Sequence, residues 1–313
     1  MATSSYPNGF SNGIFVRGVP LQVAHPGQVF YVNNSAKIAP RGVQGSDANP
    51  GTYQKPFATL DYAIGQCVAS RGDIIFVMPG HAETIAAAAG VDMDVAGVAV
   101  IGLGVGSLRP TFNLTATAST FLIEAANCSI KNLLITGGVD AVVSAVVVTA
   151  ADCTIDGCEI RDVTGEMVLG ILTAAGANRL KILNHIHNGA TGAGTGAAIA
   201  LVGGDRIEIT AEAIDGNFSV GGIDVRTTAT TNLYVHDIGR FYNRNSGDIF
   251  LIDTITASTG QIGPNINIRI TDNAANITEA ITGATFVVMD PVYVCNLAGE
   301  KAMLINWVAS TDA

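Results

Sequence analysis

"EAANCSI" at residues 124–130 returns as "TAADCTI" at residues 149–155, with cysteine, a hydroxyl residue and isoleucine in the same order 25 residues later. The surroundings repeat with it. An apolar run precedes each phrase, "TFLIEAAN" from Thr120 and "AVVVTAAD" from Ala145, and an alternating run follows, "CSIKNLLIT" from Cys128 and "CTIDGCEIR" from Cys153. Further units continue through "GILTAAGAN" from Gly170, "RLKILNHIH" from Arg179, "IALVGGD" from Ile199 and "LYVHD" from Leu233. Turn residues Asn127, Asp152, Asn178 and Asp205 are spaced 25, 26 and 27 apart. A period in this range marks stacked units that bury their faces on one another. Two or three short strands per unit, without a helical pattern between them, make each unit one coil of a β-solenoid. Neither a leucine-rich line nor paired helices recur. Coils stacked at the ~4.8 Å strand spacing put equivalent side chains in columns, so Cys128 is expected against Cys153.

Composition agrees with a chain that hides most of its surface. Of 313 residues 48% are hydrophobic and only 13% charged, and 36 are glycine. The net charge is −10, which argues against nucleic acid, because phosphate binding needs a basic face. The opening "MATSSYPNGFSNG" has no secretory pattern. The longest apolar stretch, Val95 to Gly106, is glycine-broken and too short for a membrane helix. A soluble protein made in the cytoplasm is expected, with no membrane partner. Five cysteines, Cys67, Cys128, Cys153, Cys158 and Cys295, are too sparse for a disulfide framework and read as buried small hydrophobes. No cofactor and no metal are expected. The loop "TGAGTGA" at 191–197 lacks both phosphate-cradle patterns and reads as a turn between coils.

Ahead of the repeats, "KPFATLDYAIGQCVA" (55–69) puts Phe57, Leu60, Ile64, Cys67 and Val68 on one helical side. An open solenoid end exposes core and unpaired backbone, so a helix over 57–69 is expected to cap it. The strand "RGDIIFVMPG" follows and closes at Pro79-Gly80.

The run "GSDANPGTYQKPFATLDYAI" (45–64), with "GDIIFVMPGHAETI" (72–85) and "VIGLGVGSLRP" (100–110), resembles the entry of right-handed parallel β-helix proteins of the pectate-lyase-like fold. More narrowly, it resembles such proteins of tailed bacteriophages and prophages. The resemblance implies an all-β, right-handed, single-stranded parallel β-helix with about 25–27 residues per coil. It also implies a place in the virion, a homotrimer, and contact with the major capsid protein or other virion proteins. The organisation then reads as an N-terminal arm (1–29), a β-helix (30–290) of about seven or eight coils, and a C-terminal cap (291–313).

An enzyme on this scaffold would show polar residues converging on one face. Arg161-Asp162, His187-Asn188, Asp215-Gly216, His236-Asp237 and Thr271-Asp272 follow the second strands and could stack into a ridge. Asp162, His187, Asp215, His236 and Asp237 are then the candidate catalytic groups of a depolymerase acting on host surface polysaccharide. Solvated turns require the same residue types, and that reading outweighs the catalytic one. His185-x-His187 suggests a metal pair only if Glu212 or His236 stacks beside it. His81 and Glu83 read as a structural hydrogen bond. One tryptophan, Trp307, and few aromatics count against a sugar groove. Phe10, Ile14, Phe15 and Val16 in the arm, and Trp307 at the far end, are the docking candidates. The expected function is structural, as a head decoration or head-fibre protein, with a tailspike-like depolymerase or host-binding adhesin as the alternative.

Overall fold

The computed structural model describes residues 15–16, 19–20, 27–35, 44–162, 167–189, 191–192, 195–245, 249–269, 281–282, 285–289, 291–295 and 301–304. They form a parallel β-solenoid. Each coil lays down one strand in each of three ladders, which we call A, B and C, before the chain returns to ladder A.

Ladder A begins at Val29–Val32 and runs through Ile74–Val77, Ala99–Gly102, Ser129–Lys131 and Thr154–Asp156 to Thr285–Val288. Ladder B starts at Ala82–Ile85 and passes Thr111–Leu114, Leu134–Gly137 and Glu159–Arg161 to Val292–Cys295. Ladder C stacks eight strands from Val91–Met93 to Ile281–Thr282, one per coil and so seven full turns apart. All these pairings are parallel. Two antiparallel exceptions are Phe15–Val16 on Val19–Pro20 and Lys301–Leu304 on Val292–Cys295. Ladder B thus continues past residue 290, where the sequence suggested that a cap begins. Of the docking candidates, Phe15 and Val16 belong to the first of these short pairs, while Phe10, Ile14 and Trp307 lie outside the described residues.

The alternation in the sequence becomes columns in the core. Register in ladder A aligns Phe30, Ile75, Val100, Ile130, Ile155, Ile182, Ile209, Val235, Ile262 and Val288, all inward and buried. β-branched residues suit such a position, because their stiff side chains lose little freedom on a pleated surface. Ladder C contributes Val91, Phe121, Val146, Ile171, Ile199, Ile223 and Leu251 in the same way. Cys128 and Cys153 are buried, and the Thr154 amide donates to the Cys128 carbonyl, which sets one cysteine upon the next coil's. The thiols carry no disulfide, and burial pushes Cys153 up to about 11.

The repeated turn phrase has a backbone cause. Where ladder C hands over to ladder A, Asn127, Asp152, Arg179, Arg206 and Asn232 all take positive φ, between 52° and 61°. Asn and Asp tolerate this conformation best. The corner therefore falls on Arg179 and Arg206, one residue beyond the Asn178 and Asp205 suggested by spacing. Arg179 is held there by a two-pronged contact with the Asp152 carboxylate of the coil before it, at 2.6 Å from each oxygen. Asp205 instead accepts from Thr231 and Asn232 of the following coil. A second column of left-handed residues, Asn132, Gly157, Asn184, Asp237 and Asn265, turns the chain from ladder A to ladder B. The connections from ladder B to ladder C have no such column and differ in length from coil to coil, as between Gly137 and Val146 and between Gly216 and Gly221.

The capping helix is shorter than the periodicity implied. It spans Leu60–Gly65 and packs on the strands at 29–32, 74–77 and 91–93. Phe57 is bridged to Val32 as extended chain, and the Asp47 carboxylate accepts the amides of Ala58 and Thr59 and the Thr59 hydroxyl. Those amides are spent before the helix starts. Leu60, Ala63 and Ile64 are buried, whereas Val68 is half exposed. The entry segment leaves no room at Gly45, where a Cβ would lie 2.2 Å from the Asn33 carbonyl oxygen and 2.4 Å from that of Phe57. Gly45→Ala is expected to cost about 1–3 kcal/mol, read as a lowered midpoint in urea; an unchanged midpoint would refute the tight fit.

Candidate functional site

The sequence motifs at 81–85 and 45–64 meet at the helix-capped end. His81 and Glu83 are both buried. His81 Nδ1 accepts the Asn34 amide at 3.1 Å, so the proton sits on Nε2, which donates to Glu83 Oε2 at 2.9 Å. The same carboxylate oxygen accepts the Leu60 amide at 3.0 Å, satisfying the first turn of the helix. These hydrogen bonds hold the first strand, the helix and the first coil together, the structural role expected of the pair.

The candidate ridge does not assemble. His187 points into the core, in the ladder B column formed by Phe112, Ile135, Ile160, His187, Ile214, Phe241, Ile268 and Val294. Asn188 is the outward residue of that doublet, aligned between Arg161 and Asp215. The sequence reading placed the imidazole one residue out of register. Strand Lys181–Asn188 carries the reason, because it runs through the corner between ladders A and B with register shifts on either side of His185. Counting from the preceding turn therefore gives the wrong face. His185 is buried beside Ala211, facing away from Glu212, so no metal pair forms there. Among the described residues no group of three or more His, Cys, Asp or Glu side chains is placed to hold a metal ion.

Asp162 is fully buried, and its carboxylate accepts the Thr195 hydroxyl at 2.5 Å. Asp215 lies on the outer face of ladder B between Arg240, at 3.6 Å, and Arg244, with which it makes a closer contact. Both guanidiniums draw on its charge. His236 and Asp237 sit at the corner between ladders A and B, one strand earlier than the doublet pattern put them. Thr271-Asp272 lies outside the described residues.

One part of the ridge does come together. His236 Nδ1 is 2.7 Å from Asp237 and its Nε2 is 3.3 Å from Glu208, a residue not singled out from sequence. Tyr234 stacks on the imidazole with ring centroids 3.9 Å apart. Lys181 binds Glu208 at 3.1 Å, and Asn265 donates to Asp237. Hydrogen bonds from Asn265 and His236 hold the Asp237 carboxyl below the usual range. Both ring nitrogens face carboxylates. Stacking of Glu208 beneath Tyr234 in ladder register was the signal that could have found this cluster.

The outer face of ladder B, in register with Asp215, carries Tyr242 between two guanidiniums, with Arg244 4.9 Å and Arg269 4.6 Å from its ring centroid. A shallow depression of about 230 Å³ lies beside it, lined by Arg240, Asn267, Arg269 and the half-exposed Tyr293. A larger groove of about 560 Å³ lies against the loop at 103–109. Some of its polar groups are paired with one another: Lys131 with Asp156 at 2.6 Å, and Asn184 with the same carboxylate. Arg109, at its edge, binds Glu159 at 2.9 Å. No family model, curated protein or solved structure matches this chain. Among the described residues no helix is long and apolar enough to cross a membrane.

Proposed function

We propose that the protein is a structural component of a phage particle, most closely a head decoration or head-fibre protein that binds and stabilises the particle surface. The observation that carries this reading is that, among the described residues, the candidate catalytic side chains are held in scaffold contacts or buried in the core. His81 and Glu83 fasten the capped end, His187 is in the core, Asp215 is neutralised, and Asp237 turns a corner. The entry motifs supply the phage part of the reading. On this proposal the work is mechanical: stacked, hydrogen-bonded coils resist unfolding and present an acidic surface. The Arg240, Tyr242, Arg269 and Tyr293 face has the side-chain types that dominate protein interfaces and is the long-side surface by which the chain docks.

Electron cryo-microscopy of the purified particle, with density traced against this sequence, tests the proposal. A regular array of copies on the capsid lattice is the expected result. A few copies at the tail tip, together with capsule or lipopolysaccharide cleavage lost in Asp215→Asn or Asp237→Asn, would replace it with a depolymerase.

A further inference from the structure

Two imidazoles occupy the middle of columns that are otherwise apolar from Phe112 onward, and nothing in the scaffold's architecture requires them. In the His187 column the coils before and after supply Ile160 and Ile214. In the His185 column the following coil supplies Ala211, and the Ile186 amide bonds to the Cys158 carbonyl of the preceding one. Both histidines have no exposed surface, and their ring centroids are 6.2 Å apart. Among the described residues neither nitrogen of His187 has a hydrogen-bond partner, and neither has one on His185, although the Cys158 carbonyl is near enough to favour its charged form. Phe218 packs edge-on to His187 at 5.2 Å, and Gly170 leaves the space in which the ring sits, a Cβ there lying 3.0 Å from Nδ1.

We propose that His185 and His187 form an acid-sensitive joint, at which protonation opens the coils spanning 154–216 while the helix-capped coils stay paired. The physical basis is the mismatch between closed and open states. In the closed coil an imidazolium would sit against hydrocarbon with no carboxylate hydrogen-bonded to it among the described residues. Once the coil opens, water solvates it.

Of the titratable groups nearest the pair, Glu159 relieves this only in part: its charge favours protonated His185, but by less than burial opposes it. The Cys158 thiol is itself buried and pushed up to about 11, so it stays neutral. Glu159 is turned to the outer face, where Arg109, Arg161 and Asn188 take up its oxygens. Asp162 is directed to Thr195. Of the neighbouring coil, Glu212 is exposed and Asp215 faces Arg240 and Arg244. From ladder C the facing residues are Gly170, Ile171 and Ala198, which carry no charge. Burial lowers His185 to about 3 and His187 to about 4 in the folded chain. The unfolded value is near 6.5. The open state therefore binds more protons below that pH, and stability present above pH ~6.5 is lost as the pH falls toward 4.

Hydrogen exchange of the intact chain, followed by mass spectrometry from pH 7 to 4.5 and corrected for intrinsic rates, tests the joint. Protection of amides in 154–161, 181–188 and 208–216 is expected to fall by about tenfold per pH unit for each imidazole below pH ~6.5, before any loss at 74–102. The double substitution His185→Leu and His187→Leu is expected to abolish that dependence. Protection lost uniformly, lost first from the ends, or lost equally in the double variant overturns the proposal. Should the double variant not fold, the wild-type profile decides alone: a pH-independent middle refutes the joint.

Discussion

Replacing Glu83 by alanine is expected to unfasten the capped end of the solenoid and to cost on the order of 2–6 kcal/mol. One carboxylate oxygen accepts both the His81 ring proton and the Leu60 amide. Its removal leaves two buried donors without an acceptor, and each orphan costs about 1–3 kcal/mol. His81 also holds the Asn34 amide, so the loss spreads to the first strand. Glu83→Gln keeps an acceptor oxygen and should cost clearly less. Urea denaturation gives the magnitude, and limited proteolysis gives the place, with new cleavage expected in the segment 44–66. A loss under ~1 kcal/mol, or cleavage elsewhere first, would show that the cap is held by apolar packing and not by this carboxylate.

Phe241→Ala is the second large effect. The ring packs edge-on to Phe250 at 4.9 Å and stacks on Phe218 at 6.3 Å, and Gly222 leaves room for it. Truncation opens a cavity that neighbouring strands, fixed by their ladders, cannot close, at a cost of about 3–5 kcal/mol. Because coils contact only their neighbours, the damage should stay local. The expected signature is a denaturation curve that splits into two transitions, with the coils after 208 melting first. A single transition, displaced but still sharp, would mean that the solenoid unfolds as one cooperative unit.

The solenoid was legible because its determinants are local and periodic. Cysteine, hydroxyl residue and isoleucine recur where the same three pleat positions recur, and Asn127 and Asp152 are the residue types a left-handed corner admits. Arg179 and Arg206 hid the next corners, since a cation held by its neighbour's carboxylate can occupy a position that spacing assigns to Asn or Asp. His187 was misplaced for a related reason. Strands 181–188, 208–216 and 233–243 pass from ladder A to ladder B through register irregularities, so parity along the sequence no longer tells inside from outside. The His81 and Glu83 hydrogen bond could be read from the motif, but their partners Asn34 and Leu60 could not, because each lies far along the chain. The Glu208 and His236 pairing was missed for the same reason: it is a contact between successive coils.

The uneven connections from ladder B to ladder C bear on how such a chain can change. The corner between ladders C and A is marked by left-handed residues in coil after coil, and the one between ladders A and B, so marked in many coils, still admits the loop at 103–109 between Gly102 and Thr111. The stretch between Gly137 and Val146, against the short link between Gly216 and Gly221, shows that this third corner absorbs extra length with the columns still aligned. Loop closure there grows costlier only slowly with length. Novelty can accumulate at that edge without renegotiating the core, and foreign peptides grafted between 138 and 141, ahead of the buried Val142, have a natural place to be displayed.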